Sequence, residues 1–243
     1  MKLRRALAAL SACMIALIAA GAAHAQVDPD IEVGSKIPRR SKEADPVTAG
    51  LTRDLYRDCT YSPNRTAMDF FLAQSDPGSA DLKAAGINGR KLFDANSLRD
   101  CFVAEGRQAR VELRMRNEDF RYIMLEGAYL YAVRQLPAGY ANKVPAPRTF
   151  VSKNAELGAA RPLAALADCI AEQDPVGADA ILRTPSGTDK ERAAAKALVP
   201  ALSACMVAGR QYELKAANIR AFAADGMWQR YVKAAPVMAE AGR

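Results

Sequence analysis

The sequence predicts a mainly α fold of two tandem helical repeats related by approximate two-fold symmetry. Each repeat is expected to carry an internal disulfide and one short β-strand, the strands pairing between repeats. Three observations lead there: a string of short matches recurs in the same order in both halves, four cysteines occupy equivalent places in it, and the apolar residues around them fall at helical spacing.

In chain order, Met1-Lys2-Leu3-Arg4-Arg5 precedes an apolar stretch from Ala6 to Ala23 and the small-residue exit Ala23-His24-Ala25. That pattern reads as a secretory signal peptide over 1–25, cleaved after Ala25. The stretch is about long enough to act as an uncleaved anchor, but the small residues favour removal. Leu10-Ser11-Ala12-Cys13 resembles a lipoprotein box, yet an apolar run follows Cys13 where such a protein turns polar. Residues 26–47, with Pro29, Pro38 and Pro46 and no period, read as a flexible leader.

The first repeat is expected over 48–136, a linker rich in Pro and Gly over 137–160, the second repeat over 161–235, and a fraying tail over 236–243. Aligning Asp58-Cys59 with Asp168-Cys169 places Asp69-Phe70-Phe71-Leu72 on Asp179-Ala180-Ile181-Leu182, and Asn64 on Asp174 as helix caps. Pro77-Gly78-Ser79-Ala80-Asp81 then matches Pro185-Ser186-Gly187-Thr188-Asp189. Cys101-Phe102-Val103-Ala104 matches Cys205-Met206-Val207-Ala208.

Within the second repeat, Leu163, Leu166, Ala167 and Ile170 form a helical stripe ending near Gln173, and Asp174-Pro175 starts a second helix. Thr188-Asp189-Lys190-Glu191 reads as a capping box opening a third, long helix through Leu198 and Leu202 to Cys205. In the first repeat Gly86-Ile87-Asn88-Gly89 should break the third helix. Gly106 and Gly209 sit where C-caps would, after which Arg110-Val111-Glu112-Leu113-Arg114-Met115-Arg116 alternates as a strand does, with Tyr212-Glu213-Leu214-Lys215-Ala216 as its shorter partner. Asn117 and Asn218 should cap the last helix of each repeat, where Trp228 and Tyr231 read as core.

Removing residues 1–25 lowers the formal net charge from +7 to +4 and leaves 218 residues, enough for real hydrophobic cores. Such mild basicity is no nucleic-acid footprint. The only histidine, His24, leaves with the leader. A Ser-His-Asp or Cys-His nucleophile, a His-ligated zinc and c-type haem attachment are thereby excluded. No P-loop, GxSxG, SxxK or dinucleotide fingerprint occurs, so no catalytic residue, metal site or cofactor is assigned.

Cys59, Cys101, Cys169 and Cys205 remain, an even number suited to an oxidising compartment. Pairing Cys59 with Cys101 and Cys169 with Cys205 respects the repeat; crossed pairing is the alternative. Arg110, Arg114, Arg116 and Lys215 would share one ribbon face and are candidate contacts for an anion or partner, against the plainer reading of a solvated face. Arg107-Gln108 and Arg210-Gln211 recur as a shared helix end would. Asp69 and Asp179 should pair with a helix Arg or Lys rather than act as paired acids.

The segments Leu166-Ala167-Asp168-Cys169, Asp174-Pro175-Val176-Gly177-Ala178, Thr188-Asp189-Lys190-Glu191-Arg192-Ala193-Ala194 and Leu202-Ser203-Ala204-Cys205 resemble a group of exported proteins of alphaproteobacterial type. The resemblance implies an envelope address and a disulfide-bearing repeat, and no activity. The expectation is a periplasmic or secreted interaction protein without catalysis, contacting another envelope protein or an anionic envelope component. Neither a nucleic-acid partner nor a transmembrane segment after cleavage is expected. A histidine-free, carboxylate-dependent glycan or cell-wall enzyme is the first alternative, and a carrier of lipid or apolar ligand the second.

Overall fold

The structure, a computed structural model, describes residues 44–88, 115–137, 147–153, 155–207, 209, 212 and 214–233. Local capping chemistry begins its helices. The Asp45 carboxylate accepts from the Thr48 N–H at 3.0 Å and the Thr48 hydroxyl at 2.6 Å, and Pro46 stands in the first turn of α1, Pro46–Tyr61. The helix thus opens two residues inside the stretch read as a leader. After a three-residue turn comes α2, Arg65–Ala73, with Asn64 at its N-cap position. Asn64 provides no side-chain cap there; its amide donates to the Thr60 carbonyl at 3.0 Å.

The helices α3, Asn117–Ala132, and α4, Ala155–Gln173, follow. In α5, Pro175–Arg183, Asp174 accepts from the Gly177 N–H at 2.8 Å, as the Asp-Pro start predicts. In α6, Asp189–Ala197, the Thr188 hydroxyl accepts from the Glu191 N–H at 3.3 Å. The Glu191 carboxylate reaches back to the Gly187 N–H at 2.7 Å, one residue before the donor a capping box uses. The last two helices are α7, Val199–Cys205, and α8, Ala216–Trp228, which runs on into a π-helical turn, Gln229–Lys233.

Mainly α is therefore correct, and several finer expectations are not. The long third helix of the second half is two helices broken at Leu198, because Pro200 has no N–H to continue the ladder. Among the described residues there is no strand, only an isolated bridge between Asp76 and Ser79. Met115 has no regular structure, Arg116 is the N-cap of α3, Lys215 is the N-cap of α8, and Ala216 is already helical. Asn117 and Asn218 thus sit inside the helices they were expected to cap. Gly209 has a φ of +81°, but α7 has already ended, with Met206 as its C-cap. Residues 82–86 form turns, closed by Gly86 at φ +71°. Arg110, Arg114, Gly106, Cys101 and the leader peptide lie outside the described residues.

Cys169 and Cys205 are joined, Sγ to Sγ at 2.06 Å, which rules out both crossed pairings. Cys59 is buried, and its sulfur is also disulfide-bonded. One hydrophobic core runs through both halves: Tyr56, Phe71, Phe120 and Met124 from the first, Leu166, Ile170, Ile181 and Leu202 from the second, with Trp228 and Tyr231 buried as expected. Helix α8 packs against α3, α4, α5 and α6, while α1 and α2 pack against α3.

Two glycines show how tightly distant segments meet. A Cβ at Gly50 in α1 would lie 2.0 Å from the Ser186 carbonyl oxygen, and one at Gly187 2.0 Å from the Pro46 carbonyl oxygen. Backbone rests on backbone there, and Gly187 also has φ +75°.

Replacing Gly50 by Ala should therefore destabilise the protein by about 1–3 kcal/mol through overpacking. Gly158→Ala, on the open face of α4 where an added Cβ meets nothing within 4 Å, should stabilise it by about 0.5–1 kcal/mol. Urea unfolding of both variants checks the pair. Replacing Cys169 and Cys205 together by Ala should cost about 4 kcal/mol for a loop of 36 residues in the chain-entropy picture, read from the same curves.

Candidate functional site

Two charged clusters lie where α3 meets α8. Counted from the N-caps Arg116 and Lys215, each helix carries an arginine five residues on, Arg121 or Arg220. Each carries an acid ten residues on, Glu126 or Asp225, and a glycine eleven on, Gly127 or Gly226. The pairs cross. Arg220 of α8 donates to both Glu126 oxygens, at 2.9 and 2.6 Å, and Arg121 of α3 donates to Asp225 at 2.8 Å. All four side chains are buried. The glycines let α3 and α8 approach α1 and α4: a Cβ at Gly127 would meet Tyr61 at 3.0 Å, and one at Gly226 would meet the Ala167 carbonyl at 2.1 Å.

Further arginines complete each cluster. Arg53 donates to Glu126 at 2.7 Å, Arg57 donates to its other oxygen, and Arg148 bridges Asp225 at 3.0 Å and Asp168 at 2.9 Å. Arg220 also donates to the carbonyls of Ile181 and Thr184 at 2.9 Å and of Leu182 at 3.0 Å. Its guanidinium thereby satisfies the open carbonyls at the end of α5. Burial alone would raise the Glu126 pKa, but Arg53, Arg220 and Arg57 outweigh it and hold the carboxyl well below the usual range. Burial acts likewise on Asp225, and Arg121 and Arg148 overcome it. For Asp168 burial prevails over Arg148, and the pKa is raised.

Glu126 and Asp225, clamped in this way, stay ionised and make poor proton donors. Asp69 and Asp179, expected to pair with helix arginines, do so with Arg65 at 3.8 Å and Arg183 at 2.8 Å. They also accept the hydroxyls of Tyr61 and Tyr129. Among the described residues no three His, Cys, Asp or Glu side chains are grouped as a metal ion requires, and no helix is long and apolar enough to cross a membrane.

Among the open pockets of the described residues, one groove of about 430 Å³ lies between the first turns of α3 and α8. One wall comes from α1 and α3: Arg53, Glu118, Asp119, Tyr122 and Ile123. The other comes from α4 and α8: Leu163, Ala217, Asn218, Ala221 and Phe222. Counted from the helix caps, Glu118 stands opposite Ala217, Tyr122 opposite Ala221, and Ile123 opposite Phe222. The walls are thus matched in position and different in chemistry, one charged and one almost wholly apolar. Burial pushes the Tyr122 phenol pKa well up.

Of the four residues proposed from the ribbon pattern, Arg116 lines this groove and Lys215 caps the helix forming its apolar wall; both are exposed. Arg116 is held by Asp119, with Nε and Nη2 at 3.1 and 3.0 Å from the carboxylate. Pattern reading missed Arg53, Glu118, Tyr122, Leu163 and Phe222, which come from separate stretches of chain. It also missed the ionic clusters, whose sequence signal is the shared spacing of Arg121 to Glu126 and Arg220 to Asp225 inside apolar runs.

Fold and site define a mainly α protein with a disulfide, an ionic core and an open two-walled groove. No family model, no curated protein and no solved structure matches the chain.

Glu126→Gln should cost about 3–5 kcal/mol at neutral pH, because three arginines lose their buried counter-charge. The pH dependence follows from the sign of the shift. A carboxyl depressed in the folded state contributes stability that is complete above its ordinary value, 4.5 for glutamate, and is lost as pH falls below that value toward the folded one. Denaturant unfolding from pH 7 to pH 3 should show the wild type losing stability below about 4.5, and Glu126→Gln losing less over that range.

Proposed function

We propose that the chain is an exported helical binding protein, descended by duplication of one unit, which holds a partner from the cell envelope in the groove between α3 and α8 and performs no chemistry on it. The groove carries the reading: it is open, partly apolar, and lined from four stretches of chain, as a recognition surface is. Export is supported by Met1-Lys2-Leu3-Arg4-Arg5, the apolar run and Ala23-His24-Ala25, and by the Cys169–Cys205 disulfide, which persists in an oxidising compartment.

Duplication is supported by the crossed ion pairs and by the glycine contacts. Gly127 meets residues two before and two after Cys59, and Gly226 meets residues two before and two after Cys169. The likeness to exported proteins of alphaproteobacterial type points the same way. A carboxylate enzyme is disfavoured by Glu126 and Asp225, whose arginines keep them ionised where such chemistry needs one protonated acid.

The test is capture from an envelope extract by three immobilised mature proteins: wild type, Ala217→Trp, which fills the groove, and Ala73→Trp, which places the same ring on the exposed end of α2. Wild type and Ala73→Trp should retain a common component that Ala217→Trp loses while melting normally. Equal capture by all three would overturn the reading.

A further inference from the structure

We infer that the groove takes an organic cation, a protonated amine or guanidinium on an apolar body, with Glu118 as the counter-charge; this rests on the reading of the groove as the binding surface. The charges along the groove are not equivalent. Arg53 is engaged by Glu126 at 2.7 Å and Asp54 at 3.1 Å, and Arg116 by Asp119 at 3.0 Å, so these compensate within the protein. Glu118 differs: half-buried, it lines the groove with no hydrogen-bond or ion-pair partner among the described residues.

Tyr122, one turn further along α3 and on the same face, lines the groove too, and its hydroxyl has no hydrogen-bond partner among the described residues. An N–H group seated there donates to the Glu118 carboxylate, beside the Tyr122 ring. The helix dipole accounts for an acid in the first turn of α3, but Asp119 already closes that cap with Arg116. At the corresponding position α8 has Ala217, in a first turn without any acid. The carboxylate without a partner thus belongs to one wall only.

Facing it, Leu163, Ala221 and Phe222 offer apolar surface with no charge, suited to the ligand's body. A groove of about 430 Å³ lies within the range that encloses small ligands. A charge-assisted hydrogen bond at its edge, partly screened from water, is stronger than one on an open surface.

The probe is 4-phenylbutylamine, titrated into the mature protein at pH 7 and followed by NMR, with 4-phenylbutanoate and 4-phenylbutanol supplying the same body under anionic and neutral heads. The amine should bind saturably and the other two far more weakly. Glu118→Gln should weaken the amine about tenfold, the scale of one charged hydrogen bond. Tyr122→Phe should weaken it less, and Ala217→Trp should abolish it, all with unchanged melting.

Equal binding of the three heads, indifference to Glu118→Gln, or no saturable binding of the amine would overturn the inference. Adding Glu118→Gln to the envelope capture separates this failure from that of the broader reading. A partner lost on Ala217→Trp but retained by Glu118→Gln leaves the groove as contact surface and removes the cation.

Discussion

The crossed salt bridges between α3 and α8 are the constraint on which the other contacts depend. A buried carboxylate is tolerable only when its charge is met and its lone pairs are filled, and each helix supplies what the other lacks. Glu126 is filled from α1 and α8; Asp225 is filled from α3 and the segment around Arg148. Hydrophobic burial supplies most of the stabilisation in such a core but is indifferent to small slides of one helix along another. Ion pairs at fixed spacing are not, so they set the register in which α3 and α8 cross. The groove inherits that register, since most of both its walls comes from the first two turns of the same two helices.

Arg220 extends the constraint beyond the crossing. By donating to three carbonyls at the end of α5 as well as to Glu126, it ties the short helix after the Cys169 segment to the crossing. Arg183 does the reverse, donating from α5 to the Val133 carbonyl at the end of α3. Helix ends that would otherwise need water are satisfied by side chains, Arg220 from within the second half and Arg183 across to the first; with the crossed pairs of Glu126 and Asp225, the halves share one polar interior as well as one apolar core.

What could be read from the sequence was local. Asp174-Pro175 and Thr188 announce helix starts because their capping bonds span only three residues, and the stripe from Leu163 to Ile170 marks a buried face because its period is that of a helix. The linker expected over 137–160 runs too far, since α4 begins inside it at Ala155 and passes through Pro162 at the cost of one missing N–H. The alternation before Arg116 suggested a strand, yet the described part of it is a helix cap. The ionic core stayed hidden because a lone arginine or glutamate in an apolar run becomes intelligible only when its partner, 94 or 104 positions away, is in place. The groove is still less legible, since its two main segments, around Glu118 and around Ala217, lie about a hundred positions apart and Arg53 and Leu163 join them from two further helices.

The meeting of Gly50 with Ser186 and Gly187 bears on how the chain reaches this state. Asp54, one turn after Gly50, accepts the Ser186 hydroxyl across 132 positions, so the opening helix finds its seat on a turn made long after it. A polypeptide emerging from a ribosome or a translocation pore must keep Arg53, Asp54 and Arg57 hydrated, and the apolar side of that helix uncovered, until the turn at Ser186 has followed. Synthesis therefore delivers the first helix early and the fold uses it late, an interval in which a holding chaperone has something to bind.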